Sequence, residues 1–103
     1  PGRKEPFDPA AVVNLVRAGS PVVAVIDIGE EFFLSTALTV LRARDARPVE
    51  GCHAVVIAGH RLVNGEQLFR LRNSWGGAWA DSGCVWASVD YLYTRGASLL
   101  RID

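Results

Sequence analysis

Two strand-like runs, from His53 to Gly59 and from Gln67 to Asn73, flank Val63, Asn64 and Gly65, and this pattern constrains the fold more than any other. An Asn-Gly pair between β-rich runs signals an antiparallel hairpin, because both residues accept the positive φ that a tight reversal between twisted strands requires. The turn also sets which side chains share a face. A two-residue turn at Asn64 and Gly65 pairs residues whose numbers total 129, which puts His53 and Asn73 on opposite faces. An odd-length loop or an equivalent bulge puts them on one face; with a three-residue loop, Val63-Asn64-Gly65, Asn73 lies opposite Val55 and about 7–8 Å along the diagonal from His53.

The segments around the hairpin extend the sheet. Residues 21–28 form a β-branched run after Gly19 and Ser20, read as a buried strand. A glycine-rich segment from Gly76 to Gly83 leads to a strand from Cys84 to Val89, and a last strand is predicted from Ser98 to Ile102. Asp8 and Pro9 supply an N-cap and a first-turn proline, Val12, Leu15 and Val16 make an apolar stripe, and Gly19 is a stop signal, so a helix is predicted over residues 9–18. Residues 30–42 hold Phe32, Phe33, Leu34, Leu38 and Leu41 without a clean period, and 42–50 reads as a charged loop. The fold class is α+β: one N-terminal helix and a curved, mainly antiparallel, barrel-like sheet. Residues 1–8 read as a flexible segment and 9–103 as one domain, which suits a chain of 103 residues that is 50% apolar.

Charge and cysteine content narrow the function classes. Eleven Lys and Arg residues balance eleven Asp and Glu, so no net field favours nucleic acid or an anionic membrane. No apolar run approaches the ~20 residues of a membrane span, and residues 1–9 are polar rather than signal-like, so the chain reads as soluble. With no methionine in the sequence, its first residue is expected to follow removal of an initiator or cleavage of a longer precursor. Cys52 and Cys84 are read as buried free thiols rather than a disulfide scaffold. No cofactor motif and no metal-ligand cluster is found: His53 and His60 fall on opposite faces of a strand, and Cys52 and His60 lie about 26 Å apart at ~3.3 Å per residue.

The stretch Asn73, Ser74, Trp75, Gly76, Gly77, Ala78 and Trp79, then Asp81, Ser82 and Gly83, is the most distinctive. Two tryptophans in a glycine-rich turn are costly to expose. Taken singly, these residues allow ordinary structural roles: His53 as a core histidine, Asn73 as a turn initiator, Trp75 and Trp79 as core. Together, in the order helix, Pro21–Ile28 strand, Gly51-Cys52-His53-Ala54-Val55 strand and Asn-Ser-Trp-Gly turn, they resemble the C-terminal domain of papain-like cysteine peptidases. The resemblance runs over residues 9–103. It departs from the family at Ala80, where glycine usually follows the second tryptophan, and at Cys84, where tyrosine is usual.

The resemblance implies that His53 is the catalytic histidine, Asn73 its orienting asparagine and Trp75 an indole covering their hydrogen bond, with Ser74, Gly76 and Trp79 in support. A histidine that takes a thiol's proton makes a thiolate nucleophile at neutral pH, and an amide oxygen on the other ring nitrogen fixes the tautomer without adding charge. In the family the nucleophilic cysteine opens a helix of the preceding domain, after a glutamine, and no such pattern occurs upstream of His53. Cys52 adjoins His53 on a strand and points the other way, and Cys84 has the context of a buried strand start. The implied partners are thus a Cys-bearing papain-like N-terminal domain, from the same precursor or a separate chain, and a peptide or protein substrate. Two further readings stay open: a catalytically silent papain-like module that binds or regulates, and a structural domain with a coincidental motif.

Overall fold

The computed structural model describes residues 2–102; the expected segments 1–8 and 9–103 reach Pro1 and Asp103, which lie outside the described residues. In chain order the elements are β1 (Gly2–Pro6), α1 (Pro9–Arg17), β2 (Val22–Ile28), α2 (Glu30–Phe33), β3 (Val40–Leu41), a 3-10 turn (Ala43–Asp45), β4 (Gly51–Val63), β5 (Glu66–Arg72), β6 (Cys84–Ser88), α3 (Val89–Thr94) and β7 (Ser98–Ile102). The chain is α+β, and its strands form one sheet in the order β1-β7-β2-β4-β5-β6-β3. Every pairing between these strands is antiparallel except that of β3 with β6, and an isolated parallel bridge joins Thr36 to Ala80. The sheet does not close into a barrel, and β1 and β3 are its edges.

Local chemistry explains where α1 begins and ends. The Asp8 carboxylate accepts from the Ala11 amide at 3.3 Å, Pro9 occupies the first turn, and Gly19 turns the chain out at φ +82°. Strand β2 alternates buried and half-buried positions, with Val22, Ala24, Ile26 and Ile28 facing the core. Val55 and Ile57 of β4, Phe69 and Leu71 of β5, and Val85 and Ala87 of β6 continue that core, which Val12, Phe32, Tyr91 and Leu92 cover from the helices. Burial of each large apolar side chain contributes about 1.5–3 kcal/mol, so the central strands form a rigid base.

Two local results differ from the sequence reading. The segment read as flexible carries β1, which pairs with β7 from Gly2 opposite Ile102 to Pro6 opposite Ser98. Its charged Arg3, Lys4 and Glu5 hide a strand held by backbone bonds at a sheet edge, where alternation of apolar side chains is not required. Residues 30–41 resolve into the short helix α2, a turn and the two-residue β3.

The hairpin carries the feature on which the site depends. Its tip is a two-residue turn, with Asn64 at φ +49° and Gly65 at φ +80°. From Val63 opposite Glu66 back to Gly59 opposite Arg70, paired numbers total 129; at Ile57 opposite Leu71 and Val56 opposite Arg72 they total 128. A β-bulge at Ala58 absorbs the extra residue. An odd loop is absent, and the bulge produces the one-residue shift that brings His53 and Asn73 to the same face.

Candidate active site

His53 sits on β4 opposite Ile26 of β2, one strand in from β5. Asn73 follows the last residue of β5, and its amide N–H donates to the Gly83 carbonyl at 3.0 Å, so residues 74–82 form a closed excursion. That excursion needs positive φ at Gly76 (+94°), Ala80 (+50°), Ser82 (+52°) and Gly83 (+89°). A Cβ at Gly83 would stand 3.3 Å from the Gly76 carbonyl oxygen, which is why the two glycines close the base of the loop. Ala80, one of the two departures from the family pattern, therefore stands where an L side chain is strained and glycine is not.

His53 Nε2 and Asn73 Oδ1 lie 2.6 Å apart. The same Oδ1 accepts the Ser74 amide N–H at 2.8 Å, which identifies that atom as the oxygen and makes Nε2 the hydrogen-bond donor. The neutral imidazole consequently carries its lone pair on Nδ1, free to take a proton from another group. Asn73 is 7% exposed, and its Nδ2 is buried with no hydrogen-bond partner among the described residues.

An aromatic cover lies over this pair. The Trp75 ring centroid is 5.1 Å from that of His53, Phe33 stacks on Trp75 at 5.0 Å with the planes 11° apart, and Phe32 meets both Trp75 and His53 edge-on. Trp79 packs on Phe32 at 5.0 Å, and its Nε1–H donates to the Phe33 carbonyl at 3.2 Å. The cover is open on one side, since Trp75 remains 38% and Phe33 45% exposed. Ser74 acts through its backbone amide, Gly76 through its φ, and Trp79 by holding α2 to the loop. Sequence reading anticipated Trp75 but not Phe32 and Phe33, which belonged to a stretch without a period.

The cysteines stand apart from this arrangement. Both are free; Cys84 is buried, whereas Cys52 is exposed, contrary to the expectation of two buried thiols. Cys52 alternates with His53 on β4 and pairs with Asp27, so its side chain is on the face that the core does not cover. Among the described residues, no group of three His, Cys, Asp or Glu side chains could hold a metal ion, and no helix is long and apolar enough to cross a membrane.

Comparison with known proteins agrees with the geometry. Residues 3–92 match the papain family cysteine protease domain, and the chain belongs to that family. A cathepsin L-like proteinase of Fasciola hepatica is 26% identical over 72 residues, covering 70% of this chain and 22% of that protein. The structure of the bromelain protease from Ananas comosus, in complex with the E64 inhibitor, superposes with a TM-score of 0.71 at 18% identity, covering 96% of this chain. The chain spans 47% of the bromelain chain, about half its length. That likeness establishes the papain fold and is consistent with its right-hand domain.

Proposed function

We propose that this chain is the half of a papain-like cysteine peptidase that bears the histidine and the asparagine, and that a Cys-bearing N-terminal domain, from the same precursor or another chain, supplies the nucleophile. The observation that carries the reading is the His53 Nε2–H bond to Asn73 Oδ1 beneath Trp75. Family membership supports it. In the reaction, Nδ1 of His53 takes the thiol proton, and the thiolate attacks the carbonyl carbon of the scissile peptide. The imidazolium returns the proton to the departing amine, leaving a thioester. Water, deprotonated by the same Nδ1, then hydrolyses the thioester and regenerates the thiol. Asn73 holds the ring in place throughout, and its neutral amide lets the ring cycle between charge states without a fixed counter-charge.

Alone, the chain is expected to be inert. Cys84 is buried, and Cys52 leaves β4 on the side opposite His53. The test is labelling by an E64-type epoxide, and turnover of a fluorogenic peptide amide, for the chain alone and for the chain joined to a Cys-bearing papain-like N-terminal domain. Turnover only in the joined form, lost on His53→Ala, supports the proposal. A joined form that folds, binds peptide and never labels indicates a catalytically silent binding module.

A further inference from the structure

The aromatic cover over His53 and Asn73 rests on α2, and α2 has only four residues, Glu30–Phe33. A helix of one turn has no stability of its own, since nucleation costs more than its single bond returns. Its N-cap is Gly29, which makes no side-chain cap bond. Tertiary contacts must therefore fix Phe32 and Phe33 where they meet Trp75: Phe32 is fully buried, and Trp79 bonds the Phe33 carbonyl on the loop side of α2.

The side chain immediately before them in the sequence supplies a further anchor. Glu31 turns away from the aromatic cover and is 7% exposed. Its carboxylate accepts from the Tyr91 hydroxyl at 2.7 Å, from the Arg47 amide at 2.8 Å and from Arg95 Nη2, which lies 2.8 Å from both oxygens. Arg95, 3% exposed, also donates to the Arg47 carbonyl at 2.6 Å, while its own carbonyl accepts the Asp27 amide of β2 at 2.9 Å. Burial alone raises a carboxyl, but the bonds from Tyr91, the Arg47 amide and Arg95 outweigh it and hold Glu31 below the usual carboxylate range. The fit is close: a Cβ on Gly29 would stand 2.7 Å from Arg95 Nη2, 2.7 Å from the Pro48 carbonyl oxygen and 2.8 Å from Glu31 Oε1.

From this geometry we infer that Glu31, Tyr91 and Arg95 are positioning residues, whose buried cluster holds α2 and so keeps the Phe33–Trp75 stack over the His53–Asn73 hydrogen bond. A surface ion pair would do little here, whereas a buried carboxylate with every oxygen engaged adopts one arrangement. The purpose of the cluster rests on the catalytic-half reading. Its physical effect does not, and the test is chosen accordingly.

The test follows the His53 Nε2–H proton by nitrogen-edited NMR and measures its exchange with water. Tyr91→Phe removes one donor and keeps the ring; Glu31→Gln removes the charge at nearly constant shape; Val12→Ala, a core truncation in α1, is a control for general loss of stability. Tyr91→Phe and Glu31→Gln are expected to speed exchange at least tenfold and to shift the Trp75 indole N–H resonance, with Val12→Ala leaving both unchanged. If Glu31→Gln does not fold, Tyr91→Phe alone decides. Unchanged exchange in a folded Tyr91→Phe variant, or equal acceleration in Val12→Ala, overturns the inference. Faster exchange in a chain that shows no turnover when joined to a Cys-bearing papain-like domain supports the positioning role and counts only against the proposed function.

Discussion

Replacing Glu31 by glutamine tests the buried cluster through stability as well as geometry. The side chains of Glu31 and Arg95 are 7% and 4% exposed, so neither charge has water to fall back on. Removing the carboxylate leaves Arg95 buried and uncompensated, a change that costs about 3–5 kcal/mol. A domain of this size has roughly 5–15 kcal/mol in total. The melting temperature should therefore drop by on the order of 20 °C, at about 4–8 °C for each kcal/mol. The pH dependence gives the sharper check. The Glu31 carboxyl is held below its ordinary value of 4.5, so its contribution is fully present above that value and is lost as pH falls through the lowered one. Urea unfolding followed by circular dichroism at pH 7 and again near pH 3 should show a large gap between wild type and Glu31→Gln that narrows on acidification. The other carboxylates titrate in both proteins and cancel in the difference. A gap under about 1 kcal/mol at pH 7, or one that is the same at both pH values, refutes the reasoning.

Three smaller changes test other parts of the structure. Ala80→Gly should stabilise the chain by up to about 1 kcal/mol in urea melts, since relief of the left-handed strain at φ +50° exceeds the entropy glycine adds to the unfolded chain; a loss above 1 kcal/mol contradicts the strained loop. Phe33→Ala removes the stack on Trp75, worth about 0.5–1.5 kcal/mol, and should increase acrylamide quenching of tryptophan fluorescence; unchanged quenching argues against the cover. Iodoacetamide should modify exposed Cys52 in the native state and buried Cys84 only after unfolding, and mass spectrometry of the native sample showing Cys84 modified first would reverse that assignment.

Much of the sheet was legible because its signals are local. The Asn-Gly turn, the β-branched runs and the capped start of α1 each depend on a few adjacent residues, and β7 runs from Ser98 to Ile102 as expected. What stayed hidden depends on partners distant in sequence. The register of β4 against β5 is set by packing on both neighbours, so the sequence showed that a one-residue shift was required without showing that Ala58 would absorb it. Strand β1 is charged and pairs through its backbone. Nothing in the sequence singles out Glu31 and Arg95, which are 64 positions apart and meet only in the folded chain, and the nearest signal was Phe32 and Phe33, two large aromatics in a stretch with no period to place them. Cys52 was expected inside because free cysteines generally are, but the alternation that turns His53 toward the aromatic cover turns its neighbour out.

The most direct measurement of the central claim is epoxide labelling of the chain joined to a Cys-bearing papain-like N-terminal domain, with the modified residue identified by mass spectrometry. The account predicts a single adduct on a cysteine of the added segment, formed at a rate that falls by about 10²-fold or more in His53→Ala, the scale of a lost general base, and by less in Asn73→Ala, which leaves the imidazole in place. Adducts on Cys52 or Cys84 that depend on His53, or labelling of the added cysteine at the same rate without His53, would contradict it.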